Sequence, residues 1–147
     1  KAAPALHAFL DRELDRLALP PSRLALVGFS QGTMMALQVG LRRPVAPAAV
    51  VGFSGRLAAP DLLAAEITSR PPVLLVHGAD DDVVTPDALP EAREALAANG
   101  VPVDTDLRPG VGHEIDHVGL ALAARFLEQK LAPSVLRPDC GVSSHSA

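Results

Sequence analysis

Tryptophan and tyrosine are absent from this 147-residue chain, and phenylalanine occurs only four times, at Phe9, Phe29, Phe53 and Phe126. The aromatic platforms on which nucleic-acid bases stack are therefore scarce. Basic charge is scarce too: 13 Lys+Arg stand against 17 Asp+Glu, for a formal charge of -4 with no basic stripe. A nucleic-acid partner is excluded on both counts. Cysteine occurs once, at Cys140, so no internal disulfide forms, and the expected compartment is a reducing one, the cytoplasm. Apolar runs such as Val118 to Ala124 fall far short of the roughly 18 residues of a membrane span, so no transmembrane helix is expected. The opening KAAPALHAFLDRELD breaks any apolar core of a secretory signal with charges. What is present is enough to fold: 48% of the residues are apolar and 20% charged, which places the chain among globular proteins, as one domain at most.

Two signals alternate along the chain. Leu24 to Val27, Ala48 to Val51 and Val73 to Val76 are short runs unbroken by polar residues, as expected for strands covered on both faces. Each is followed by a helical pattern: Gln31 to Leu41, Pro60 to Ile67, and a helix that Thr85 caps, Pro86 opens and Asn99-Gly100 ends. Residues 4 to 18 form an amphipathic helix before the first run. Val103, Thr105 and Leu107 alternate with Asp104 and Asp106, the pattern of a less buried strand near a sheet edge, and a last helix is expected over Glu114 to Lys130. The order α, β, α, β, α, β, α, β, α predicts an α/β fold with a mostly parallel sheet and helices on both faces. The segment 133–147 shows no periodicity and is read as a loose tail.

In such sheets the chemistry belongs at the carboxyl ends of the strands. Gly28-Phe29-Ser30-Gln31-Gly32 follows the first strand and opens a helix, which is the context of a nucleophile elbow. Chance would write G-x-S-x-G only about 0.04 times in a chain with this Gly and Ser content. The glycines at 28 and 32 are expected because a Cβ at either position would collide where strand and helix pass closely. The elbow sets Ser30 at a helix N-terminus and aims the Gln31 N–H at an oxyanion forming on the substrate. Gly52-Phe53-Ser54-Gly55-Arg56 lacks the second glycine of the pattern, so Ser54 reads as a loop residue lining the site. A serine needs a base and an orienting acid. His113 follows the fourth strand in Pro109-Gly110-Val111-Gly112-His113, and the third strand runs into Asp80, Asp81 and Asp82, any of which supplies a carboxylate. The chain order Ser, Asp, His is that of the α/β-hydrolase triad. His77 packs on its strand end, and His7 and His145 lie on a helix face and in the tail.

These residues carry a resemblance. Gly28-Phe29-Ser30-Gln31-Gly32, Phe53-Ser54-Gly55, His77-Gly78 through Val84, and Gly112-His113-Glu114 resemble the phospholipase/carboxylesterase family of α/β-hydrolases, which includes carboxylesterases, lysophospholipases and acyl-protein thioesterases. The resemblance spans most of residues 1 to 131 and implies Ser30 as nucleophile, His113 as base, Asp81 (two residues before the Val83-Val84 pair) as acid, and Gln31 as half of the oxyanion hole. Phe29, Ser54 and Val84 are placed along the substrate pocket. It implies a serine esterase acting on carboxylic esters or thioesters, with no cofactor. Thr33 stands where the family usually has another glycine. Family members also carry several strands before the point that matches Lys1, so residues 1–132 are expected to be the C-terminal portion of one hydrolase domain, the N-terminal strands lying on a separate chain or segment that supplies the other oxyanion donor. Such a portion alone exposes a sheet edge.

Two rival readings start from other features. His113-Glu114-Ile115-Asp116-His117 matches H-E-x-x-H, a zinc peptidase motif expected by chance only about 0.007 times here. That motif needs both histidines one turn apart inside an established helix, and Pro109, Gly110 and Gly112 stand immediately before it. A chain lacking half of an oxyanion hole also suits a non-catalytic fragment or partner chain.

Overall fold

The computed structural model describes residues 2–132. The expectation of a loose tail over 133–147 lies outside the described residues, as do Cys140 and His145. Four parallel strands, β1 (Ala25–Phe29), β2 (Ala49–Phe53), β3 (Val73–Gly78) and β4 (Val103–Arg108), lie side by side in sequence order. Helices α1 (Ala2–Leu17), α2 (Gln31–Gly40), α3 (Pro60–Glu66), α4 (Ala88–Ala98) and α5 (His117–Leu131) alternate with them, so the α/β alternation of the sequence is realised as a parallel sheet with helices on both faces. A short 3-10 turn, Pro21–Arg23, leads into β1.

Two apolar clusters fill the two sides of the sheet. On one side Leu37 and Leu41 of α2, Leu63 of α3 and Leu96 of α4 meet Val50, Val73 and Leu75. On the other, Ala123 and Phe126 of α5 meet Val51, Phe53, Leu74 and Val76. Alternate residues of β2 and β3 thus feed opposite clusters, which is why their sequences are apolar without interruption. α1 packs beside α2, and Arg43, just past α2, donates to Asp11 of α1 at 2.7 Å. Because all four strands run the same way, the turns after β1, β2, β3 and β4 gather at one end of the sheet.

Four expectations are corrected. Among the described residues β1 is not covered on both faces: it is an edge strand, with Val27 56% and Phe29 39% exposed. An apolar run is buried twice only where something lies over both faces, and α5 lies over β2 and β3. α4 begins at Ala88, because Thr85 and Pro86 are spent in a separate turn in which their carbonyls accept from Ala88 and Leu89 at 3.0 Å each. α5 begins at His117 rather than Glu114, because the Asp116 side chain caps it by accepting from the Gly119 N–H at 2.8 Å. In β4, Leu107 faces outward and is exposed while Asp106 is half-buried, so the alternation seen in the sequence does not run through to the end of the strand.

Leu37 of α2 is fully buried, 0% exposed, against the strands that carry the site turns. Leu37→Ala is expected to lower the unfolding free energy by about 2–5 kcal/mol, read from the shift of the urea midpoint at unchanged slope.

Candidate active site

The turn between β1 and α2 holds Ser30 at φ 57° and ψ -116°, a backbone conformation that non-glycine residues rarely adopt. Its N–H donates to the carbonyl of Phe53 at the end of β2, at 2.8 Å. A Cβ on Gly28 would run into the backbone of Gly32 and Thr33, so that glycine is required by the close approach of strand to helix. The same reasoning does not extend to Gly32, where a Cβ would meet nothing within 4 Å among the described residues; the crowding of the elbow is one-sided. Gln31 is the first residue of α2 and exposed, so its N–H belongs to the first turn, whose donors have no partner within the helix.

Ser30 Oγ lies 3.1 Å from His113 Nε2, and His113 Nδ1 lies 2.8 Å from Asp81 Oδ2. With the carboxylate accepting at Nδ1, the imidazole proton sits there and Nε2 is left to accept from the serine hydroxyl. Of the three aspartates after β3, Asp81 alone is buried; Asp80 and Asp82 are exposed. Asp81 Oδ1 accepts from the N–H groups of Val83 and Val84 at 2.9 Å each, which closes the turn and aims Oδ2 at the histidine. Burial alone raises the Asp81 carboxyl, but hydrogen bonds from His113 and from the Val84 and Val83 N–H groups outweigh it, and the carboxyl lies below its ordinary range.

Around these three groups the structure assigns narrower roles than the sequence does. Phe29 lays its ring against the His113 imidazole, centroids 4.9 Å apart at 46°. Val84 meets the site through its backbone: its N–H donates to Asp81 and its carbonyl accepts from His77 Nε2 at 2.8 Å. His77 is buried, and that bond makes it a brace for the Asp81 turn. Ser54 was expected to line the pocket, yet it is 1% exposed and its Oγ has no hydrogen-bond partner among the described residues, because the chain turns inward at φ 52° behind Phe53.

Sequence reasoning missed the clamp on the histidine loop. Arg108, the last residue of β4, donates from Nε to Asp116 Oδ2 at 3.1 Å and from Nη1 to Asp106 at 3.2 Å, so one end of the loop is tied to the other. The Gly119 N–H, with the Arg108 guanidinium beside it, holds the Asp116 carboxyl below its ordinary range. An Asp three residues before Gly119 was a legible cap signal. The zinc alternative does not find its geometry: His113 stands in the loop, turned to Ser30 and Asp81, while Glu114 and His117 are exposed. Among the described residues, no group of three or more His, Cys, Asp or Glu side chains is placed to hold a metal ion.

Because the Asp81 carboxyl is depressed in the folded chain, its ionised form stabilises the fold at neutral pH, and that contribution is lost as the pH falls through the depressed value. Asp81→Asn is therefore expected to lower Tm most at neutral pH, with the gap to the parent closing below the ordinary carboxylate range of about 4. Thermal melts of both proteins across the acid range check this, and a gap independent of pH would contradict it.

Comparison with known proteins places this chain in a family. The profile of the Phospholipase/Carboxylesterase family matches residues 1–131. Esterase YpfH of Escherichia coli (strain K12) is 34% identical over 103 residues, covering 70% of this chain and 43% of its own length. Acyl-protein thioesterase 1 of Schizosaccharomyces pombe is 33% identical over 134 residues, 87% of this chain and 58% of the relative. Among solved structures, esterase PE8 superposes with a TM-score of 0.86 at 45% identity, over 88% of this chain and 60% of that one. The chain spans about half the length of the curated relatives it matches. With a match that runs from its first helix to the end of its last, the chain belongs to the phospholipase/carboxylesterase family of α/β hydrolases.

Proposed function

We propose that this chain carries the catalytic groups of a serine esterase that cleaves carboxylic esters or thioesters through an acyl-enzyme intermediate. One observation carries the reading: His113 bridges Ser30 Oγ at 3.1 Å and Asp81 Oδ2 at 2.8 Å. In the first step His113 Nε2 takes the Ser30 proton while Oγ attacks the substrate carbonyl, and the oxyanion accepts from the Gln31 N–H. His113 then protonates the departing alcohol or thiol. Water, deprotonated by the same nitrogen, attacks the acyl carbonyl; the Ser30 Oγ–acyl bond then breaks, His113 returns the proton to Oγ, and the acid leaves. Asp81 holds the imidazole in the tautomer that leaves Nε2 free and stabilises its charged form. The substrate class is supported by the family and by relatives that are themselves esterases and acyl-protein thioesterases.

The working enzyme is proposed to include the remaining part of the hydrolase fold, on another segment or chain. The exposed edge of β1 at Val27 and Phe29, beside Ser30, supports this, as does a length about half that of the relatives. That part would supply the second oxyanion donor and the rest of the pocket. A single cysteine suits a reducing, cytoplasmic compartment.

Treating the assembled protein with a fluorophosphonate probe and mapping the adduct is expected to give one label, on Ser30, and none in Ser30→Ala. No label on the assembled protein would remove the mechanism and leave a non-catalytic chain. Asp81→Asn is expected to lower kcat by about 10³- to 10⁴-fold with the label still confined to Ser30. Incubation with EDTA is expected to leave ester hydrolysis unchanged, and a loss restored by zinc would reinstate the metal mechanism.

A further inference from the structure

We infer that Thr33 is a positioning residue for Ser30, acting through the carbonyl group that both of them share. The inference rests on the serine-esterase reading and deepens it. Ser30 sits in a sparsely populated backbone conformation, φ 57° and ψ -116°, which persists only where the surroundings over-determine it. Its N–H is held by Phe53 O at 2.8 Å. The same oxygen lies 2.8 Å from Thr33 Oγ1, which also lies 2.9 Å from Gly28 O. A hydroxyl has one proton, so the Thr33 hydroxyl is shared between the carbonyl of Gly28, one residue before the end of β1, and that of Phe53, the last residue of β2. Thr33 is 1% exposed, so these bonds are shielded from bulk solvent.

The adjoining backbone is shaped around this side chain. A Cβ on Gly52 would stand 2.5 Å from Thr33 Cγ2 and 3.2 Å from its Oγ1, and one on Gly55 would overlap Thr33 Cβ. Neither glycine has the positive φ that would require glycine for conformational reasons; those are Gly100 and Gly110 among the described residues. Gly52 and Gly55 therefore make room: the nearest atom to each is on Thr33, whose hydroxyl ties β1 to β2 under the elbow, and at Gly55 the Ser30 carbonyl oxygen also stands close. Without that hydroxyl Phe53 O keeps a single donor, the strained Ser30 N–H, and the Oγ position relative to His113 Nε2 is no longer fixed from below.

Shape and hydroxyl separate cleanly by substitution. Thr33→Val keeps the volume and removes the donor, and Thr33→Ser keeps the donor and removes a methyl. In the assembled enzyme, Thr33→Val is expected to slow fluorophosphonate labelling of Ser30 and lower kcat by about 10- to 100-fold, the scale of a small misplacement of a reacting group, with KM unchanged. Thr33→Ser is expected to label close to the parent rate. Equal labelling rates for Thr33→Val and the parent, or a Thr33→Ser as slow as Thr33→Val, would overturn the inference. Should Thr33→Val fail to fold by circular dichroism, the comparison moves to Thr33→Ser against Thr33→Ala: faster labelling of the serine variant supports it, and equal rates overturn it. Absence of label on the parent would remove the esterase reading and this inference with it.

Discussion

Ser30 is a non-glycine residue held at φ 57°, and the geometry of the site follows from keeping it there. The elbow requires glycine at position 28, a carbonyl on β2 to receive the serine N–H, and a helix starting immediately afterwards. Each is met by a different part of the chain, so the strain is shared by packed elements and is not stored in the turn alone. In return the hydroxyl stands at the N-terminus of α2, beside the Gln31 N–H that opens the helix.

The hydrogen bonds reaching Ser30 come from distant points in the sequence. His113 is 83 residues away and Asp81 a further 32 from His113, yet parallel strands deliver both turns to one end of the sheet. Each turn is braced locally. Two consecutive N–H groups fix the Asp81 carboxylate, and His77 pins the carbonyl of Val84 behind it. On the other side Arg108 and Asp116 draw together the ends of the histidine loop. A buried carboxylate with these donors remains ionised, which is what the imidazole needs from its neighbour.

The places where the sequence misled have a common cause. Apolar runs report that a strand is to be covered, without reporting what covers it, so β1 read as doubly buried and stands at an edge. The α4 start is expected two residues early because the cap-like Thr85-Pro86 pair is consumed by a local turn, and the α5 start three residues early because Glu114 lies in a turn with Gly112. Ser54 resembled a pocket residue by its neighbours Phe53 and Gly55, but the direction of its side chain depends on a positive φ that no residue pattern announced. The Thr33 hydroxyl was read only as a departure from glycine, since its two partners lie on separate strands.

What the sequence by itself determined is the alternation of strands and helices and the candidates at the strand ends: a serine between glycines, three aspartates and a histidine in a glycine-rich loop. Those features are local, written in runs of a few residues whose periodicity and steric needs act over one turn or one strand. Only the tertiary structure decided which aspartate turns inward to His113, that His113 belongs to Ser30 and not to a helix with His117, and that Thr33 joins two strands beneath the elbow. These outcomes turn on distances of about 3 Å between groups tens of residues apart, and such distances are set by the register and packing of the sheet, which no local pattern encodes.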